Sequence, residues 1–224
     1  IEISQKSLVE DTSKTSVYLK NLIELGIVER EFSVDTAVKE KANAGRGLYR
    51  LADNFFRFWY TFGYANYSQL EDGDVDGVWT YVVEPILQEF AALPFEEICR
   101  EFIKEQQKQS LLPFRYQKMG RWCGKTTVRD TKTETGTTIA ETEIDILAIG
   151  ADRKEYMLGE CKFKKVPFSY SEYLDTLAKL APMKENATFY YSLFSASGFD
   201  EKIEKAAMED GKLRLYSLDT IVEG

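Results

Sequence analysis

Residues 139–165 carry the pattern that most constrains the fold of this chain. The segment IAETEIDILAIGADRKEYMLGECKFKK contains two alternating apolar runs, Ile144–Ile149 and Tyr156–Phe163, separated by the turn-forming Gly150–Arg153. This pattern predicts an antiparallel hairpin of half-buried strands. Residues two apart on a strand share a face, so we expect Glu160 to project with Lys162, and Asp145 with Glu143 and Leu147. An acid on one strand can then meet an acid and a lysine on the next.

These residue types suit the hydrolysis of a phosphodiester. Carboxylates hold a hard divalent cation, which neutralises the phosphate and lowers the pKa of its bound water. A lysine beside that water can stabilise the charge that develops. Asp145 followed by Glu160-Cys161-Lys162 resembles the D…(D/E)xK signature of the PD-(D/E)XK nuclease superfamily. The resemblance implies that Asp145, Glu160 and Lys162 form the catalytic set, with Mg²⁺ or Mn²⁺ on the acids. The alternative is an exposed hairpin with ordinary surface charges.

The amino-acid composition excludes several classes of catalytic and metal-binding site. The chain contains no histidine, which excludes Ser-His-Asp triads, histidine-dependent nucleases and histidine-ligated zinc. Its three cysteines show no CxxC spacing, so no disulfide framework or zinc site is indicated. No apolar run approaches the ~18 residues that a membrane span needs. With no signal pattern at its beginning, we expect a cytoplasmic protein without a membrane partner. Because the chain begins at Ile1, and its first residues resemble the inside of a motif, we also expect a fragment of something longer.

The distribution of charge is more informative than its sum. A net charge of −8 argues against broad attraction to nucleic acid. Residues 104–132, however, contain eight basic residues against two acidic ones and directly precede the hairpin. We expect Lys118, Arg121 and Lys125 in this strip to guide DNA phosphates toward the acids.

The first 70 residues predict a different module. Ser13 can cap a helix that ends at Gly26, and two short strands, 27–32 and 47–51, follow it. The run YLKNLIELGIVEREF resembles a winged helix, a helix-turn-helix variant. Its polar wing loop contains Arg46, the expected DNA contact. The alternative is a protein-contact or interdomain module, because nine basic residues are balanced by nine acidic ones here.

A second resemblance covers the end of this module. The sequence GLYRLADNFFRFWYTF is similar to a segment of a family of archaeal and bacterial AAA-type ATPases. In that family a P-loop ATPase domain precedes a winged helix and a nuclease-like carboxy-terminal domain. The resemblance implies that this chain is the carboxy-terminal part, that the upstream ATPase domain is its partner, and that ATP binds only there. We expect the aromatic cluster at 53–62 to be core.

The order of helices and strands along the whole chain predicts an α+β or α/β protein in three parts. We expect a winged-helix domain over 1–70, a linker and connecting helix over 71–93, and a PD-(D/E)XK-like mixed-sheet domain over 94–224. The third part reads as helix, three strands, helix, strand, helix, strand. FEEICREFI resembles the superfamily's acidic helix, which implies Glu96 as a third metal ligand. The predicted function is Mg²⁺-dependent phosphodiester hydrolysis on DNA. The alternative is a catalytically silent module that binds nucleic acid or protein and regulates the upstream ATPase.

Overall fold

The computed structural model describes Ile3 and residues 12–41, 47–129, 137–178 and 187–223. The chain divides into two compact units. The first covers 1–32 and 37–85, and the second covers 33–36 and 86–224.

The first unit begins with a helix and a small sheet. Helix α1 (Thr12–Glu24) is followed by strands β1 (Val28–Glu31) and β2 (Leu48–Leu51), which pair antiparallel. Gly26 adopts φ +69°, the left-handed conformation that commonly follows the end of a helix. The predicted first helix of the winged helix lies outside the described residues apart from Ile3 and Thr12. The winged helix therefore stays a prediction.

A run of short helical segments completes this unit. Helix α2 (Asn54–Phe58) leads through a π-helical turn (Trp59–Gly63) and a 3₁₀ turn (Tyr64–Asn66) into α3 (Tyr67–Glu71). The Asp53 carboxylate accepts the amide N–H groups of Phe55 and Phe56 and so caps α2.

The prediction that the aromatic cluster at 53–62 is core is only partly right. Phe62 is 1% exposed, whereas Tyr60 is 53% exposed. The aromatic residues are so closely spaced that they surround the helix, and only those on its packed side can be buried. On the outer side, the rings of Phe56, Tyr60 and Tyr64 contact one another in succession.

Residues 71–93, expected to be a linker and connecting helix, are largely helical. Helix α4 (Val75–Val78) and a π-helical turn (Trp79–Val83) lead directly into α5 (Glu84–Lys108). Pro94 lies inside α5 without ending it. The boundary between the two units falls after Pro85.

The second unit contains a five-stranded mixed sheet in the order β3-β4-β5-β6-β7. Its strands are β3 (Tyr116–Arg129), β4 (Thr137–Gly150), β5 (Glu155–Lys162), β6 (Thr188–Ser195) and β7 (Leu213–Ser217). The first three pair antiparallel, and the last three pair parallel.

Three further helices lie in the described part of this unit; two of them confirm the predicted order of elements, and the last was not predicted. Helix α6 (Tyr170–Ala178) lies between β5 and β6, and α7 (Glu201–Glu209) lies between β6 and β7. Parallel strands require such crossover connections, whereas the antiparallel β4 and β5 are joined by a tight turn. Helix α8 (Leu218–Glu223) follows β7.

The sheet separates two apolar cores. Phe95, Cys99 and Ile103 of α5 pack with Ile146 and Met157 in one core. In the other, Leu158 and Leu193 pack with Tyr173 of α6 and Ile203 of α7. Because Met157 and Leu158 are consecutive, their opposite placement follows from strand alternation. None of the described helices is long and apolar enough to span a membrane.

Candidate active site

The candidate site lies where β4 and β5 separate. Their antiparallel ladder ends at the pair Ile146–Gly159, whereas β5 continues beside β6 as far as Lys162. Asp145 and Glu160 are the next residues beyond that last pair. The Asp145 side chain replaces the missing strand partner, because its Oδ2 accepts the Cys161 amide N–H at 2.8 Å. We call Asp145, Glu160, Cys161 and Lys162 the fork.

A β-bulge places Asp145 at this point. Gly120 pairs with Leu147 and Trp122 pairs with Ile144, so Asp145 and Ile146 together oppose the single residue Arg121. As a consequence Ile144 and Leu147, three residues apart, lie in the same core, and Ile146 lies in the other.

Because of the bulge, the prediction that Asp145 shares a face with both Glu143 and Leu147 is wrong. Ile144 and Leu147 point to one side of the sheet, so Glu143 and Leu147 lie on opposite faces and cannot both share a face with Asp145. No signal in the sequence marked this bulge, because consecutive apolar residues such as Ile146 and Leu147 occur wherever both faces of a strand are buried. Bulges recur beside active sites, where they redirect a side chain.

Glu160 and Lys162 project together, as predicted. Glu160 is only 5% exposed, and the Lys162 Nζ donates to its Oε1 at 2.6 Å. Burial acts to lower the pKa of Lys162, but the charges of Glu160, Asp145 and Glu172 outweigh burial and hold that pKa above its ordinary value. Lys162 is therefore protonated at neutral pH. It can stabilise negative charge there, but it cannot serve as a general base.

Helix α5 brings a second ion pair to the bulge. Arg100 lies 3.7 Å from Glu96, four residues earlier on the helix, and its Nη1 donates to the backbone carbonyl of Asp145 at 3.3 Å. Sequence reasoning missed Arg100, although its i, i+4 spacing from Glu96 was visible. Burial, contact with Cys99 and the charges of Asp145 and Glu96 all raise the pKa of the Cys161 thiol. The carboxylates of Asp145 and Glu96 therefore both act on Cys161 of β5.

Glu172 of α6 was also not predicted as a site residue, and its side chain caps the start of its own helix. Its Oε2 accepts the N–H and the hydroxyl of Ser169, each at 2.8 Å, and its backbone N–H donates to that hydroxyl at 3.4 Å. This is a capping box, which the sequence Ser169-x-x-Glu172 shows. The Lys164 Nζ contacts both carboxylate oxygens, at 2.7 and 2.5 Å. Burial acts to raise the pKa of Glu172, but the bonds from Lys164 and Ser169 hold it below its usual value.

The donor atoms at the fork fit a divalent cation through two carboxylates. Mg²⁺ in proteins commonly takes one or two carboxylates, and water and phosphate complete its shell. Asp145 and Glu160 supply such oxygens. Within the described ranges, no group of three or more histidine, cysteine or carboxylate side chains is arranged to hold a metal ion. Glu96 as a third ligand therefore stays a prediction.

The predicted phosphate-guiding residues are not in one row. Lys118 and Lys125 are exposed, whereas Arg121 is half-buried and paired with Glu143. Alternation along β3 places Lys118 on the side of Trp122, and Arg121 and Lys125 on the other. Arg46 lies outside the described residues.

Comparison with known proteins places these features in a family. Residues 59–174, which include the fork, Glu96 and Glu172, match the family described as archaeal and bacterial proteins of unknown function. The chain belongs to this family. It is also 30% identical over 152 residues, 68% of its length, to an uncharacterized protein of Methanocaldococcus jannaschii. The match spans only 30% of that relative.

Two solved structures show weaker likenesses. A Vibrio cholerae protein is 13% identical, with a TM-score of 0.42, and the match covers 99% of this chain and 46% of that one. A repair endonuclease from Pyrococcus abyssi is 17% identical, with a TM-score of 0.23, and the match covers 42% and 38%. Neither likeness is close enough to assign a fold or an activity.

Proposed function

We propose that the second unit is a nuclease-like domain that hydrolyses DNA phosphodiesters with Mg²⁺ or Mn²⁺ at the fork. The observation that carries this proposal is the placement of Asp145 and Glu160 just beyond the last β4–β5 pair, where the charges of both act on the protonated Lys162. The order of the elements supports a PD-(D/E)XK-type domain, because the fork lies on the second and third strands after α5.

Each residue has a distinct part in the reaction. Asp145 and Glu160 would hold the ion, which would neutralise the phosphate and lower the pKa of a bound water. The Lys162 ammonium stabilises the negative charge that develops on the phosphate oxygens. The Cys161 amide fixes one oxygen of Asp145, and Arg100 fixes the backbone behind it. Such preorganised groups need little rearrangement during the reaction.

The resemblance to AAA-type ATPases supports a wider proposal. The chain would be the carboxy-terminal region of a longer polypeptide whose upstream domain binds ATP. The first unit would be a winged helix that contacts DNA or protein. These proposals concern a polypeptide longer than this chain, which matches only 30% of the length of the Methanocaldococcus jannaschii relative.

One observation favours the second candidate function, a catalytically silent module that regulates the ATPase. Each predicted acid already contacts a protein group: Asp145 the Cys161 amide, Glu160 the Lys162 ammonium, and Glu96 the Arg100 guanidinium. Such pairing also stabilises a site that never binds a cation.

A cleavage assay separates the two functions. The pure chain is incubated at low salt with duplex, branched and single-stranded DNA in Mg²⁺, Mn²⁺ or EDTA. We expect metal-dependent cleavage that Asp145→Ala and Lys162→Ala abolish. Lys154→Ala, which removes an exposed ion pair in the β4–β5 turn, is the control and should leave cleavage intact. Cleavage that survives in both fork variants would indicate a contaminating enzyme. If the wild-type chain cleaves none of the substrates, the silent module replaces the nuclease.

A further inference from the structure

The Lys162 ammonium contacts a carboxylate oxygen that a metal ion at the fork would need. Its Nζ lies 2.6 Å from Glu160 Oε1, one of the two carboxylates proposed to bind the ion. The charge of Asp145, the other carboxylate, also acts on this ammonium. Lys162 and a divalent cation therefore attract the same oxygens.

The charges around the fork are almost balanced without a metal ion. Glu96, Asp145 and Glu160 contribute three negative charges, and Arg100 and Lys162 contribute two positive ones. A divalent cation that entered with Lys162 still in place would face the repulsion of a neighbouring ammonium. It would also have to share an oxygen that already accepts a hydrogen bond.

The two members of the pair differ in their freedom to move. The Glu160 side chain is 7% exposed, whereas that of Lys162 is 31% exposed. Lysine carries its charge on a flexible four-carbon stem. The ammonium can thus turn toward solvent, or toward a bound phosphate, while the buried carboxylate stays in position.

We propose that Lys162 is an internal counter-cation, which neutralises Glu160 in the cation-free protein and which a divalent ion must displace in order to bind. This inference rests on the proposed function, because it concerns the ion at the same site. Lys162 then has two opposed effects. It weakens the binding of the metal ion, and it stabilises the negative charge that develops on the phosphate during the reaction. Metal binding and the release of Lys162 toward the phosphate then become a single event.

The expected change in Mn²⁺ affinity depends on the fraction of molecules in which Lys162 has left Glu160. An apparent affinity is reduced by the fraction of molecules that are competent to bind, so a pair that is open in about one molecule in ten weakens binding about tenfold. Lys162→Met keeps the length of the side chain and removes its charge. This variant should bind Mn²⁺ about tenfold more tightly than wild type, a difference of about 1.4 kcal/mol.

Calorimetric titration with MnCl₂, in the absence of DNA, measures this affinity directly. Lys164→Met is the matched control, because Lys164 lies two residues beyond Lys162 and also pairs with a glutamate, but that glutamate is Glu172 of α6. It should bind Mn²⁺ like the wild type. Lys162→Gln provides a second neutral variant, and far-UV circular dichroism verifies that each protein is folded. Adding Glu160→Gln to Lys162→Met should remove the gain, because the competition takes place at that carboxylate.

The outcomes distinguish this inference from the function on which it rests. Equal Mn²⁺ affinities of the wild type and both neutral variants would overturn the counter-cation role and leave the proposed nuclease intact. A gain that persists with Glu160→Gln would also overturn it. If neither the wild type nor the neutral variants bind Mn²⁺, the metal site and the proposed function both fail.

Discussion

Replacement of Arg100 by methionine should destabilise the second unit by about 3 kcal/mol, because breaking a buried ion pair from one side costs roughly 3–5 kcal/mol. The Arg100 and Glu96 side chains are only 11% and 15% exposed, so little solvent compensates Glu96 after the change. Their separation of 3.7 Å is that of an ion pair rather than a short hydrogen bond, which favours the lower end of the range. The Asp145 carbonyl also loses a donor.

A double-mutant cycle tests the origin of this cost. Glu96→Gln removes the buried charge that Arg100→Met would leave behind, so the double variant should cost less than the sum of the single variants. Urea unfolding followed by far-UV circular dichroism gives the free energies, and an unchanged m-value verifies that the variants unfold alike. Lys104→Met is the control on the same helix. It breaks an exposed pair with Glu101 and should cost less than about 1 kcal/mol.

Two results would refute the role given to Arg100. A loss below about 1 kcal/mol for Arg100→Met would show that its charge is effectively solvated. Strict additivity in the cycle would show that Arg100 and Glu96 do not interact. In either case, the ion pair between Arg100 and Glu96 would not be the origin of the cost.

Three further predictions rest on separate contacts, and urea unfolding measures each of them. Burial raises the pKa of Tyr191 from 10.0 to about 12, so stability present below pH 10 should be lost as pH rises to 12. Tyr191→Phe should reduce that loss, and an unchanged profile would contradict the assignment. Asp145→Ala should cost about 1–3 kcal/mol, because the Cys161 amide loses its acceptor. Asp145→Asn, which keeps an acceptor oxygen, should cost less, and equal losses would place the effect elsewhere. Phe62→Ala should cost about 3–5 kcal/mol, and Tyr60→Ala about 1 kcal/mol or less. The reverse order would show that the aromatic segment is packed differently.

The parts of the fold that depend on local pattern were predictable. Alternation specified the β4–β5 hairpin, and the i, i+2 spacing specified that Glu160 and Lys162 share a face. The order of elements in the second unit followed from helical and strand periodicity. These signals are local, so no knowledge of distant partners was needed.

The details that shape the site depend on contacts between distant residues. The bulge at Asp145 is defined by its register with β3, and residues 120–122 lie more than twenty positions earlier. The bond from Arg100 to the Asp145 carbonyl spans 45 residues. Exposure of Tyr60 depends on which side of its helix finds a partner. The sequence showed which charges were present, but their pairing required the tertiary structure.

Paramagnetic broadening of amide signals by Mn²⁺ shows whether a divalent cation binds between Asp145 and Glu160. Trace amounts of MnCl₂ are added to ¹⁵N-labelled protein, without DNA. We predict that the amide signals of Asp145 and Cys161 broaden first, and that Asp145→Asn greatly weakens this effect. Broadening that begins instead at the acidic turn near Asp72–Asp76, and that persists in the variant, would contradict it.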